Sequence, residues 1–210
     1  AGAALARVIA GERAFVLGDI GPFGGLMEPY GDTPPEAASA AFHAQALALL
    51  EGEADAILIE TMSDPAEAAL ALAAAHAAGA TCVFVTYTFQ HSPTGFRTMM
   101  GSDVTTALKA VSMADVVGAN CGTELSLDDY ETLTTELVAA AGGRPVIVQP
   151  NAGSPALDQG NVRYRTNAEQ FAQAGTRFAA AGARIVGGCC GTGPAHIAAL
   201  AGALGQIEHR

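Results

Sequence analysis

The sequence is poor in basic residues, with ten Lys and Arg against 21 Asp and Glu and a formal net charge of −11 over 210 residues. Nucleic-acid binding depends on a basic surface, so this charge balance argues against a nucleic-acid partner. No apolar run approaches the ~20 residues that a membrane-spanning helix needs. The stretch Ala1–Gly11 also lacks the basic, apolar and cleavage-site pattern of a signal peptide. We therefore expect a cytoplasmic protein that binds neither nucleic acid nor membranes.

Cysteine is also scarce, with four residues in the whole chain. Four thiols could form two disulfides. A long, alanine-rich chain with the adjacent pair Cys189 and Cys190 fits a reducing compartment better.

Apolar, β-branched runs alternate with alanine-rich stretches along the chain. The apolar runs are continuous, which is typical of parallel strands buried on both faces. They predict strands at Ala14–Leu17, Ala56–Ile59, Thr81–Thr88, Val116–Ala119, Val146–Val148 and Arg184–Val186. The alanine-rich stretches predict helices at Pro35–Glu51, Pro65–Ala78, Asp103–Met113, Leu127–Ala141, Asn167–Ala181 and Pro194–Leu204. This alternation predicts an α/β protein with a parallel sheet.

Two architectures fit six βα units, the open doubly wound sheet and the (β/α)8 barrel. The doubly wound fold usually opens with a glycine-rich phosphate turn. Here Pro22 interrupts the segment Gly18-Asp19-Ile20-Gly21-Pro22 where such a turn would begin a helix. The barrel places its chemistry where several strands end, and polar residues follow most of the predicted strands. We therefore predict a TIM-type (β/α)8 barrel that is incomplete, because six units are visible and eight are required.

Three of the four cysteines follow predicted strands. Cys121 ends one apolar run, and Cys189 and Cys190 follow another. Three thiols gathered at strand ends suit a zinc ion with one open coordination position, as in catalytic zinc sites. Cys82 instead begins a predicted strand, at the opposite end of a barrel, and we assign it to packing.

The adjacent cysteine pair has a structural alternative. Successive side chains of a regular strand point to opposite faces, so the two thiols can share a metal only where the backbone leaves strand geometry. We expect Gly187, Gly188 and Gly191 to supply that freedom. The alternative is that the pair are two small buried hydrophobes at a strand end.

Two further polar residues end apolar runs. Glu60 ends one run and could bind a substrate ammonium or act as a base; its alternative role, as a helix cap, is already filled by Ser63 or Asp64. Asn151 ends another run, and a structural role in a turn is a serious alternative for it.

Taken together, these motifs resemble the homocysteine S-methyltransferase family, which includes the homocysteine domain of cobalamin-dependent methionine synthase and betaine–homocysteine methyltransferase. The resemblance extends over almost the whole chain. It rests on Gly18-Asp19-Ile20-Gly21-Pro22, Ile59-Glu60-Thr61-Met62, Gly118-Ala119-Asn120-Cys121, Gln149-Pro150-Asn151-Ala152-Gly153 and Gly187-Gly188-Cys189-Cys190-Gly191-Thr192.

The resemblance implies a zinc-dependent enzyme that transfers a methyl group to the thiol of homocysteine and so forms methionine. The implied zinc ligands are Cys121, Cys189 and Cys190. Glu60 would bind the amino group of homocysteine, with help from the backbone around Thr61. Asn151 would occupy the open zinc position until the substrate thiol displaces it. The methyl donor would be the methylcobalamin/methyltetrahydrofolate system, betaine or S-methylmethionine.

The chain departs from this family in lacking its first two βα units. Its six units would be the third to eighth of one partial barrel domain over residues 1–210, and another chain or segment would supply the missing units. The family's first strand carries an acid that contacts homocysteine, so we expect Glu60 to lack an acidic companion and this short form to be impaired. Two alternatives stay open. One is a non-catalytic, truncated zinc-binding barrel or assembly partner; the other is a phosphate site at Gly191-Thr192-Gly193.

Overall fold

In the computed structural model, which describes residues 1–122, 124–158 and 161–205, six parallel strands form one sheet. Their order along the sheet is their order along the chain, and every neighbouring pair is parallel. The six strands are β1 (Leu17–Ile20), β2 (Ala56–Met62), β3 (Val83–Tyr87), β6 (Val116–Cys121), β7 (Val146–Pro150) and β10 (Ile185–Val186). A doubly wound sheet would reverse its strand order, so the predicted barrel wall is confirmed.

The sheet does not close. Among the described strands, β1 and β10 each pair with a single neighbour, so they form two free edges. The unpaired edges agree with the prediction of an incomplete barrel.

One helix precedes β1, and a further helix follows each of the six strands and packs on one face of the sheet. The helices are α1 (Gly2–Ala10), α2 (Pro35–Glu51), α3 (Pro65–Ala77), α4 (Val104–Ala110), α5 (Leu127–Ala140), α6 (Ala168–Ala180) and α7 (Pro194–Leu204). Capping side chains set several starts: Asp64 accepts a hydrogen bond from the amide of Ala66, and Ser126 forms a capping box with Asp129. Over the described part of the chain, no helix is both long and apolar enough to cross a membrane.

Apolar side chains cover both faces of the sheet. The larger cluster lies between the strands and the helices and includes Ile57, Ile59, Val85 and Val117. Side chains that alternate with these form a smaller cluster on the opposite, interior face. The buried members of that interior cluster are Ala56, Leu58, Phe84, Val116 and Ile147, and Cys82 packs against them. The assignment of Cys82 to packing therefore agrees with its surroundings.

The first predicted strand was wrong in position. Strand β1 begins at Leu17, whereas the apolar run begins at Ala14, and Phe15 within that run is 87% exposed. Backbone pairing continues instead through Gly18 and Asp19, which lie opposite Ile57 and Leu58 of β2. Asp19 therefore lies inside a strand rather than after one.

Two short hairpins rise from the carboxyl ends of the strands, where the sequence predicted only loops. Strands β4 (Gln90–Ser92) and β5 (Gly95–Arg97) form the first, and β8 (Ala156–Asp158) and β9 (Asn161–Arg163) form the second. The second hairpin leads directly into the candidate site.

Candidate metal centre

The sulfur atoms of Cys121, Cys189 and Cys190 all lie within 4.8 Å of one another, at the carboxyl end of the sheet. Cys190 Sγ is 3.9 Å from Cys121 Sγ and 3.9 Å from Cys189 Sγ. Tetrahedral zinc with Zn–S bonds near 2.3 Å separates its sulfur ligands by roughly 3.8 Å. The spacing of the three thiols therefore fits a metal of this kind, and all three are free cysteines.

Cys121 reaches this cluster because the backbone turns at the end of β6. Its φ is 59°, in the left-handed region that residues other than glycine seldom adopt. The buried hydroxyl of Tyr130 donates a hydrogen bond of 2.6 Å to the Cys121 carbonyl, and the amide of Gly122 donates one of 3.1 Å to Thr88 Oγ1. These contacts satisfy the backbone where the regular ladder stops.

Cys189 and Cys190 lie beyond β10, in a loop attached to the end of β7. The amide of Cys189 donates to the Pro150 carbonyl at 2.9 Å, and the Cys190 carbonyl accepts from the amide of Ala152 at 2.9 Å. The loop has left strand geometry, so both thiols can face one point.

The expectation that three glycines supply unusual backbone angles was correct for one of them. The φ of Gly191 is 78°, and the ring of Tyr164 lies so close to it that a Cβ atom at this position would collide with the ring. Gly187 and Gly188 do not have left-handed angles. They leave room instead, Gly188 for the side chain of Thr192 and Gly187 for that of Gln149.

The proximity of Cys121 and Cys189 shifts the pKa values of the two thiols in opposite directions. The neighbouring Cys189 thiol lowers the pKa of Cys121. The same contact, followed by burial, raises the pKa of Cys189 well above its usual range.

Asn151 is buried beside the thiols. Its Oδ1 accepts a hydrogen bond of 3.1 Å from the amide of Cys190, and its Nδ2 donates one of 3.4 Å to the carbonyl of Gly122. It therefore ties together the two segments that carry the cysteines. Tyr164 is a neighbour that the sequence analysis missed: it follows β9, and its hydroxyl hydrogen-bonds to the Cys190 sulfur.

A bulge in β2 brings Glu60 and Thr61 to the same end of the sheet. The pairing register with β3 shifts between Ile59 and Met62, and both of these residues pack in the helix-side cluster. In a regular strand, residues three apart would face opposite sides. Thr61 absorbs the difference with a φ of 61°, a conformation that costs a β-branched residue about 1–3 kcal/mol.

Glu60 has an acidic neighbour, Asp19, which the sequence analysis did not pair with it. Asp19 lies opposite Leu58, and Glu60 follows two residues later on the same interior face. The Glu60 carboxyl donates a hydrogen bond to the Asp19 carboxylate. Burial, together with the charge of Asp19, raises the pKa of Glu60 to about 7. Burial also raises the pKa of Asp19.

Gly118 allows β6 and β7 to approach closely. It lies opposite Ile147, and a Cβ atom on Gly118 would collide with the Ile147 carbonyl oxygen. The position therefore requires glycine, and the close strand pair carries Asn120 and Cys121 at its end.

Comparison with known proteins places this arrangement in a family. The family model described as homocysteine S-methyltransferase matches residues 1–204. The chain is 34% identical to methionine synthase of Mycobacterium tuberculosis (strain ATCC 25618 / H37Rv) over 99% of its own length, and it spans 18% of that relative. It is 32% identical to homocysteine S-methyltransferase of Escherichia coli (strain K12) over 88% of its length, which is 61% of that relative.

A solved structure supports the fold. The apo crystal structure of the homocysteine methyltransferase MmuM from Escherichia coli superposes with a TM-score of 0.71 at 23% identity, covering 94% of this chain and 68% of MmuM. About a third of MmuM thus has no counterpart here. The family match over nearly the whole sequence shows that this chain belongs to the homocysteine S-methyltransferase family.

Proposed function

We propose that this protein uses a zinc ion, held by Cys121, Cys189 and Cys190, to methylate the thiol of homocysteine and so form methionine. The observation that carries the proposal is the cluster of three free thiols within 4.8 Å at the carboxyl end of a barrel-type sheet. A donor set of three thiolates leaves one tetrahedral position for a substrate sulfur. When bound, zinc deprotonates a thiol at neutral pH and keeps it nucleophilic.

The chain's own residues hold the metal and the amino acid. We infer that Glu60, in its ionised form, binds the ammonium of homocysteine, and that Asp19 adds a second negative charge beside it. Thr61 connects this acidic pair to the thiols, because its amide and hydroxyl both hydrogen-bond to Asn120, which contacts Cys189. The substrate sulfur and the methyl group of the donor then have to be held in line.

We infer a different role for Asn151 from the one that the resemblance implies. Its oxygen already accepts a hydrogen bond from the Cys190 amide. That contact supports Asn151 as a residue that holds the two cysteine segments together, next to the open metal position. To occupy the open metal position, the Asn151 oxygen would have to break its hydrogen bond with the backbone amide of Cys190.

The methyl donor and the remaining barrel strands are further parts of the proposal. The donors used in this family are the methylcobalamin/methyltetrahydrofolate system, betaine and S-methylmethionine, and one of these would bind above the thiols. A chain or segment would pair with β1 and β10 and complete the barrel. The free thiols suit a reducing, cytoplasmic setting.

A binding experiment tests the function directly. At about pH 8, where Glu60 is already mostly ionised because its pKa is about 7, protein purified under reducing conditions and loaded with zinc should bind homocysteine and release a proton from its thiol. Homoserine should bind at that pH with almost no proton release. Calorimetry in two buffers of different ionisation enthalpy measures that proton. Binding of homocysteine without proton release would contradict a zinc-bound substrate thiolate. Where the proton is released, turnover with each of the three donors would identify the methyl source.

The acidic pair predicts a pH dependence for binding of methionine, the proposed product, whose thioether does not ionise. A protonated Glu60 cannot attract an ammonium group, and its pKa is about 7. The ionised fraction rises from about one tenth at about pH 6 to about nine tenths at about pH 8, so affinity should increase roughly tenfold over that range. Titration calorimetry of the zinc-loaded protein measures the effect.

Two variants serve as controls for this profile. Glu60→Gln should bind weakly and equally at all these pH values. Asp19→Asn should move the rise to lower pH, because it removes the negative neighbour that raises the pKa of Glu60. An unchanged profile in Glu60→Gln would show that another group controls binding.

The free sheet edges favour a second candidate function, a non-catalytic zinc-binding barrel that serves as an assembly partner. Large apolar side chains are exposed near β1, at Leu5, Val8, Ile9 and Phe15. Such a protein would take up zinc without binding homocysteine, so the calorimetric experiment separates the two functions.

A further inference from the structure

A single buried side chain, Asn120, joins the amino-acid segment to the thiol cluster. It is 0% exposed and lies at the end of β6, next to Cys121. Its oxygen accepts hydrogen bonds from the Thr61 amide at 2.9 Å and from Thr86 Oγ1 at 2.8 Å. Its Nδ2 donates to Thr61 Oγ1 at 2.6 Å and approaches Cys189 Sγ at 3.7 Å. Three of these four contacts are therefore directed at the site.

The orientation of this amide is fixed by chemistry. The backbone N–H of Thr61 can only donate, so the atom of Asn120 that faces it has to be the oxygen. The nitrogen then faces the Thr61 hydroxyl and the sulfur of Cys189, and both of its N–H bonds are directed at these two acceptors. If the Asn120 amide were reversed, its NH2 group would face the Thr61 N–H, and two buried donors would have no acceptor between them.

We propose that Asn120 is a positioning residue that holds the Cys189 sulfur by an N–H···S hydrogen bond and, through the same amide, holds Thr61 in its left-handed conformation. This inference rests on the proposed metal centre. It assigns to one side chain the geometric link between the metal ligand and the segment that binds the amino acid.

The link has consequences for both sides of the site. A hydrogen bond to a metal-bound thiolate lowers the electron density on sulfur and orients the ligand, and removing such outer contacts typically weakens metal binding 10- to 100-fold. Thr61 has a strained backbone, and two of the four contacts of Asn120 are to Thr61. Loss of the amide therefore disturbs Thr61 as well as Cys189.

The most direct test uses the wild-type chain loaded with cadmium-113 in place of zinc. The side-chain N–H of Asn120 should show a scalar coupling to the metal across the hydrogen bond to Cys189, detected on the nitrogen-15-labelled amide. A loaded protein in which this amide shows no coupling would overturn the proposal while leaving the three-thiolate centre intact. Failure to load cadmium at the thiols would overturn the proposed function and this inference together.

Variants provide an independent measure. Asn120→Asp keeps the oxygen that faces Thr61 and Thr86 but removes the donor to sulfur, and Asn120→Ala removes the donor without adding charge. We expect either folded variant to bind zinc 10- to 100-fold more weakly in chelator competition and to shift the sulfur-to-cobalt charge-transfer band. Thr86→Val is the matched control, because it removes a hydrogen bond to the same amide without touching sulfur. Wild-type affinity and spectrum in Asn120→Ala would contradict the role of Asn120.

Discussion

Replacing Cys190 with serine should remove most of the tightly bound zinc from the protein. A serine hydroxyl is a poor substitute for a thiolate on zinc, and Cys190 Sγ lies 3.9 Å from each of the other two sulfurs. Structural zinc sites bind with about 10–16 kcal/mol, so one of four ligands contributes about 2.5–4 kcal/mol. We therefore expect zinc affinity to fall roughly 100-fold or more. Elemental analysis after dialysis against a weak chelator measures the loss.

Cys82→Ser is the matched control for this experiment. Cys82 packs on the interior face at the opposite end of β3 from the thiol cluster, so its loss should leave the zinc content unchanged. Full zinc occupancy in Cys190→Ser would contradict a site made of three thiolates. Equal zinc loss in both variants would indicate general destabilisation.

A form of this protein with two additional βα units ahead of Ala1 should bind homocysteine roughly 10- to 150-fold more tightly than the 210-residue chain. The Asp19 carboxyl is partly covered beside Glu60, but it lies on the edge strand β1 and stays open to water, which screens its attraction for an ammonium group. Strands that pair with β1 and β10 would close the interior and remove that water. One charge-assisted hydrogen bond that gains strength in this way is worth about 1.5–3 kcal/mol.

Zinc content provides the internal control for the comparison. All three thiols lie within the present chain, so the short and extended forms should carry equal amounts of zinc. Calorimetry then measures homocysteine binding by each. Equal and tight binding would show that β1 to β10 alone make a sufficient substrate site and that closing the sheet adds nothing.

Much of the scaffold could be predicted from residue patterns. Helices α2 and α7 have the predicted bounds, because proline begins each and glycine follows each. The strand order and the convergence of the three thiols also agree with the prediction. Both follow from one rule, that the carboxyl ends of sequential parallel strands meet at one end of a barrel.

The parts of the sheet that could not be predicted are those where backbone hydrogen bonding continues beyond the apolar run. Strand β1 continues through Asp19, and β2 continues through the bulge at Glu60 and Thr61. Neither of these polar stretches has the apolar, β-branched pattern of a buried strand. A hydrophobic pattern reports burial, whereas a sheet is joined by backbone groups that every residue type carries. The pairing of Asp19 with Glu60 depends on that hidden register.

Tyr164 and the hairpins illustrate a second limit. The turn Pro93-Thr94-Gly95 between β4 and β5 is a recognisable signal, and Gly95 has a φ of 100°. No local pattern places Tyr164 on Gly191 and Cys190, because that contact joins two loops far apart in the sequence. Such a contact is decided by how the loops pack on the finished barrel wall.

Gly118 shows that a family motif can combine two kinds of information. In Gly118-Ala119-Asn120-Cys121, the last two residues are those for which we propose chemical roles, whereas the first is needed because the Ile147 carbonyl occupies the space of a side chain. A related sequence of this fold would need the glycine whether or not it kept the thiol. The glycine therefore reports how closely two strands pack, and only the asparagine and the cysteine bear on the proposed reaction.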